Sequence, residues 1–198
     1  MVRIALTAAL LLSWGLEGPA QAEEEENIRY VERSTPLFDG KEGKVLGAIP
    51  PGTPVVMVDK SGKWAKVLIR GWSQQYHELE VFSDYEHRIE RLALARMKEE
   101  LRKVGGEKVD DWGTTWFEVQ FEGWIEKDVL VKNAKDVWAS AKGLYENRCY
   151  DCHEYRPPEM LTPAQWRGTL VIMAHRAALT PEEAALLRQY FQTHAKTE

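Results

Sequence analysis

The chemistry this sequence offers is concentrated in five residues, Cys149-Tyr150-Asp151-Cys152-His153, which hold both cysteines of the 198-residue chain. Residues at i and i+3 of a helix share a face, so both sulfurs can form thioethers to the vinyl groups of one haem. His153 at i+4 lies on the same side, where a ring nitrogen can take the proximal position on iron. Two other chemistries use closely spaced cysteines. A thioredoxin-like pair needs a βαβ setting, and the periodicity around this motif is helical throughout. A zinc site needs a closed shell of four ligands, and no fourth soft or imidazole ligand stands nearby. One covalently attached haem c is the expected cofactor.

Four side chains compete for the distal iron position: Met160, Met173, His175 and His194. Met160 follows His153 by seven residues, a tether that reaches at most ~25 Å when fully extended. Pro157-Pro158 stiffens that path and leaves little slack to round a haem edge. Met173 shares one helical stripe with Trp166, Leu170 and Ala177, so Trp166 and Leu170 can cover the ring. His175, two residues on, lies about 200° around the helix and points away when Met173 points inward. His194 ends the last helix, where bonding to C-terminal carbonyls explains it. Met173 is the expected distal ligand, with His175 as the alternative.

Three helices must hold these residues. The first runs from about Val137, after a short linker at 133–136, through the motif. Thr162-Pro163-Ala164-Gln165 and Thr180-Pro181-Glu182-Glu183 each place a Thr N-cap before a first-turn Pro, with Gln or Glu three residues later. Both are capping boxes. Sixty-odd residues bury little apolar surface, and units this small usually need a staple. A covalent haem supplies one.

The other end of the chain is built for export. Arg3 precedes the apolar run Ile4–Leu12, and Ala20-Gln21-Ala22 offers a small-x-small cleavage site. That layout is a secretory signal peptide over residues 1–22, cleaved before Glu23, with no stable membrane span afterwards. The expected location is the periplasm. With 26 Lys+Arg against 31 Asp+Glu, the net charge is −5. Such a chain lacks the clustered basic face that nucleic acid requires.

Between these ends the pattern is mostly β. Val45–Ile49, Pro54–Val58 and Trp64–Ile69 are strand-like, separated by turns at Pro50-Pro51-Gly52 and Ser61-Gly62-Lys63. Thr115–Phe121 forms another strand, with a turn expected at Glu122-Gly123 before Trp124-Ile125. Phe82, Tyr85, Ile89, Leu92 and Leu101, with charges between, fit an amphipathic helix over about 75–104 that stops at Gly105-Gly106.

The proline-glycine turn before Val55-Val56, the segment Gly62 to Val67 and the closing Gly123-Trp124-Ile125 resemble a bacterial SH3-like barrel. The expected fold class is therefore α+β in two domains. An SH3-like barrel occupies 23–132 with a helical insertion at about 75–104, followed by a small all-α c-type haem domain over 133–198. Gly143 and Tyr145 before the motif resemble the first helix of c-type cytochromes, which packs on the last helix, here through Leu187, Tyr190 and Phe191.

Residues 143–195 resemble, more specifically, the C-terminal haem domain of pentahaem cytochromes that feed periplasmic trimethylamine N-oxide reductases. The shared features are the CxxCH motif, the run Leu161–Leu170, Met173-Ala174-His175-Arg176-Ala177 and Leu179-Thr180-Pro181-Glu182-Glu183. Members of that family carry a membrane helix and four further haem motifs, which this sequence does not show. The resemblance therefore implies only the terminal relay step. It implies a periplasmic monohaem electron carrier, not an enzyme, with a quinol-oxidising membrane cytochrome or complex as donor. The acceptor it implies is a periplasmic terminal reductase, of the N- or S-oxide type. A haem-based sensor or enzyme with an open iron site, and a binding adaptor acting through the SH3-like domain, are the competing expectations.

Overall fold

The computed structural model describes residues 26–96 and 102–196. The export segment 1–22 lies outside them. Ten strands form one sheet: β1 (Ile28–Val31), β2 (Thr35–Phe38), β3 (Val45–Ile49), β4 (Pro54–Ser61), β5 (Trp64–Gln74), β6 (Glu80–Phe82), β7 (Glu90–Leu94), β8 (Arg102–Val109), β9 (Thr115–Glu126) and β10 (Leu130–Val131). Among the described residues three α-helices follow: α1 (Ala134–Cys149), α2 (Pro163–Arg176) and α3 (Pro181–Thr193).

The sheet order is β10-β1-β4-β5-β6-β7-β3-β2-β9-β8, and β5 also pairs with β9. That extra pairing closes β5, β6, β7, β3, β2 and β9 into a barrel, removing the exposed edges that an open sheet would leave. β5 and β9 run antiparallel from Trp64↔Glu126 to Gln74↔Trp116. Their inward residues alternate strictly along β5, where Ala65, Val67 and Ile69 are fully buried. Phe121 and Ile125 of β9 meet them in the same core, with Leu37, Ile49 and Leu92 from the other strands.

The two-domain α+β expectation does not hold. The chain is mostly β barrel, and the segment assigned to an inserted helix supplies β6, β7 and the start of β8; residues 97–101 lie outside the described part. A small SH3-like barrel carrying a helix does not describe a ten-stranded sheet. The physical reason lies in residues 82–94. Leu92 and Leu94 are buried with Ala93 between them only half-buried, the two-residue period of a strand. Asp84 takes a capping geometry unsuited to a helix interior, its carboxylate accepting from the Glu86 backbone N–H (2.9 Å) and from His87 N–H, and Arg88, at a φ of +55°, stops a helix from following. Such local side-chain bonds compete directly with the helical ladder. Gly105 and Gly106 fall inside β8, at the register shift against β9.

The turn expected at Glu122-Gly123 is also absent, since β9 runs straight through it. Gly123 lies against Leu37 and the Phe38 carbonyl, so a Cβ there would collide with β2. The glycine serves a close strand approach and not a bend.

The helices are not a free-standing domain. α1 lies against β1 and β10 and buries Val137 completely. Its Trp138 ring sits over Gly52, whose φ of +77° belongs to the left-handed region. Gln189 of α3 donates to the Glu90 carbonyl of β7 (2.9 Å), and the Ser34 N–H donates to Glu182 (2.6 Å). Arg167 of α2 donates to the Arg88 carbonyl. The expected linker residues 134–136 are already the first turn of α1.

Gly52→Ala should therefore act twice, through backbone strain worth about 1–3 kcal/mol and through displacement of Trp138. Gly62→Ala carries a similar φ of +59° with open space around it. Urea denaturation should show the larger loss of midpoint at Gly52; equal losses would mean that the Trp138 contact contributes nothing.

Candidate functional site

The motif sits where α1 runs out. Cys149 is the last residue of the helix, and Tyr150 is its C-cap. The Cys152 N–H then donates to the Cys149 carbonyl (3.2 Å), so a single turn, in place of further helix, brings the second thiol round. Both sulfur-bearing side chains line one cavity of about 460 Å³. Ligand-binding cavities typically measure ~300–1,000 Å³.

His153 lies in the same wall and is half-buried. Its Nδ1 is 2.8 Å from the Glu154 carbonyl oxygen. A carbonyl can only accept, so in the neutral imidazole this contact places the proton on Nδ1 and the lone pair on Nε2. Metal-ligating histidines are commonly oriented by such a bond.

The remaining wall is aromatic and aliphatic. Trp166, Leu170 and Met173 contribute from α2 and Ala177 from its C-cap, so the whole stripe read from the sequence lines the cavity. Phe191 of α3 closes it from behind, with its ring 4.2 Å from Trp166 and 4.9 Å from Tyr145. Trp166 is locked in place because its buried indole N–H donates to the Pro158 carbonyl (2.6 Å). Tyr145, one turn before Cys149, accepts from the Arg156 N–H (3.0 Å) and so pins the loop that follows the motif. Burial pushes the Tyr145 phenol up from its ordinary value, so it stays neutral.

The other distal candidates lie elsewhere. His175 is exposed and outside the cavity wall, while Met160 is 45% exposed on its short 3-10 turn. His194 bonds the Tyr190 carbonyl through Nδ1 (2.8 Å) and meets the Trp138 ring edge-on at 5.3 Å. Gly143 lies in no close helix crossing, since a Cβ there would meet nothing within 4 Å. Tyr145 makes the α1–α3 contact without it.

Both capping boxes are formed. Thr162 and Gln165 exchange bonds of 3.3 and 2.9 Å, and Thr180 and Glu183 exchange bonds of 3.2 and 2.8 Å. These fix where α2 and α3 begin, and hence which faces of α2 and α3 meet the cavity.

Burial raises the Cys149 thiol above its ordinary value, with the Cys152 thiol adding to the effect. A redox-active pair depends on a lowered thiol pKa, so this environment does not suit one. Among the described residues no three His, Cys, Asp or Glu side chains converge as a metal shell. A flat, largely apolar group held by two thioethers and one imidazole fits this donor set and wall. The sequence reading missed the three arginines of the wall, Arg148, Arg156 and Arg176. Arg176 could have been found, being three residues beyond Met173 on the same helix face.

Comparisons with known proteins point in one direction. The family model described as "TorC third cytochrome c domain" matches residues 23–130. That match covers the barrel, and the CxxCH motif lies beyond it. The chain is 32% identical over 186 residues to "Cytochrome c-type protein TorY" of Escherichia coli O157:H7, covering 91% of this chain and 50% of that protein. It is 25% identical over 179 residues to "Cytochrome c-type protein TorC" of Escherichia coli K12, covering 89% of this chain and 46% of that protein. Alignments of this length run on from the barrel into the helices. The chain spans about half the length of these curated relatives, and no solved structure matches it. With more than half of its residues matched, the chain belongs to the TorC third cytochrome c domain family.

Proposed function

We propose that this protein is a periplasmic, monohaem c-type electron carrier that delivers electrons to a terminal reductase of the N- or S-oxide type. The observation that carries the reading is the single cavity lined by Cys149, Cys152, His153 and Met173. The TorC- and TorY-named relatives support it, as does the resemblance of residues 143–195 to cytochromes that feed trimethylamine N-oxide reductases.

Each side chain has a part. Cys149 and Cys152 would hold the macrocycle through thioethers, and His153 would offer a ring nitrogen to the iron. Met173, lining the same cavity, would offer its thioether sulfur. Trp166, Leu170, Phe191 and Tyr145 would keep water away from the bound group. When bound, haem c supplies reversible one-electron chemistry. With both His153 and Met173 committed to the iron, no position would remain for a substrate, which suits moving electrons and not transforming a substrate. A neutral sulfur ligand also favours a higher reduction potential than a second histidine would, which suits delivery to an oxidised reductase.

The donor is a quinol-oxidising membrane cytochrome or complex. No helix among the described residues is long and apolar enough to cross a membrane.

In the oxidised wild type we expect the weak long-wavelength sulfur–iron absorption band. Met173→Ala should abolish it with the haem still attached, and His175→Ala should leave it intact. A bis-histidine spectrum in the wild type would contradict the Met173 assignment. In stopped-flow mixing, the reduced protein should be reoxidised by a periplasmic N- or S-oxide reductase turning over its substrate. Reoxidation no faster than with the reductase omitted would count against the proposed acceptor.

A further inference from the structure

The cavity wall has a charge composition at odds with the chain as a whole. The protein carries 31 Asp+Glu against 26 Lys+Arg. Yet the wall holds Arg148, Arg156 and Arg176 and no carboxylate at all. A purely apolar ligand gives no reason for three guanidinium groups.

The three are not equivalent. Arg148 is already engaged, with Nη2 3.0 Å from Glu183 in an ion pair that ties α1 to α3. The guanidinium groups of Arg156 and Arg176 take no ion-pair partner among the described residues. Their backbones, in contrast, are fixed. The Arg156 N–H donates to Tyr145 Oη (3.0 Å), and its carbonyl accepts from the same hydroxyl (3.4 Å). Arg176 is the last residue of α2, held by the helix ladder beside its C-cap Ala177. The helix dipole favours a cation at that end, which explains an arginine on the last turn but not its place in the cavity wall. The two residues thus come from separate elements, the loop after the motif and the end of α2. Each presents an unpaired cation on a positioned backbone.

We propose that Arg156 and Arg176 bind the two propionate carboxylates of the haem, an inference that rests on the haem reading above. A guanidinium fork matches a carboxylate in a bidentate manner and gives stronger hydrogen bonds than neutral donors. Two carboxylates would balance the charge of two arginines that have no ion-pair partner among the described residues. The pairing would also tie the loop after the motif and the end of α2 to one bound group. A cation close to the iron disfavours the oxidised, more positive state, so each arginine raises the reduction potential.

Resonance Raman spectroscopy of the holoprotein tests this, because propionate bending bands report hydrogen bonding at the carboxylates directly. Arg156→Gln and Arg176→Gln should each shift one propionate band and lower the reduction potential. Arg148→Gln should leave both bands where they are. Arg156→Lys and Arg176→Lys keep the charge but lose the fork, and should give smaller shifts; they also serve if a Gln variant matures poorly. Propionate bands unmoved in both Arg156 and Arg176 variants, or moved equally by Arg148→Gln, would overturn the proposal. A wild type without covalent haem would instead overturn the haem reading itself.

Discussion

The site depends on Tyr145. This residue lies one helical turn before Cys149, and its ring meets Phe191 at 4.9 Å, which sets the crossing of α1 on α3. Its hydroxyl bonds both backbone groups of Arg156, which sets the path of the chain after His153. Tyr150 and Tyr155 pack on the same ring at 5.4 and 5.9 Å. One side chain therefore forms cavity wall, helix contact and loop anchor together. Its burial and its hydrogen bonds reinforce each other, since a buried phenol without partners would cost roughly 1–3 kcal/mol.

The barrel supplies what the helices alone lack. The apolar cluster of Tyr145, Trp166, Leu170, Leu187 and Phe191 is small. Gln189 and Gln192 are buried beside it, and each is satisfied by a carbonyl, Glu90 on the barrel and Pro163 on α2. The cost of burying the Gln189 amide is recovered only while α3 stays on β7. The helical site is thus oriented on the barrel by fixed polar contacts.

What the sequence disclosed was local chemistry. The Cys-x-x-Cys-His spacing, the two capping boxes and the α2 stripe from Trp166 to Ala177 depend on residues within a few positions of one another; the structure forms both capping boxes and lines one cavity with the motif and the stripe, although the helix expected to run through the motif ends at Cys149. The failures come from competition over distance. Phe82, Tyr85, Ile89 and Leu92 satisfy a helical period, but the pairing of Ala93 with Ala48 and Glu80 makes the two ends of that segment the strands β7 and β6. Gly123 has the composition of a turn, but its role is set by Leu37 and Phe38, far away in sequence. The docking of helices on the barrel runs through pairs such as Ser34–Glu182, 148 residues apart. No local pattern encodes such a pair. The separate all-α domain was an expectation built without them.

The central claim is that Cys149 and Cys152 hold a haem covalently in this cavity. Intact-mass measurement after acid–organic extraction of the exported protein tests it most directly, because only a covalently bound haem survives that treatment. The account predicts a mass increased by one haem, and no increase in the Cys149→Ala, Cys152→Ala double variant. A wild-type mass equal to that of the bare polypeptide would contradict it.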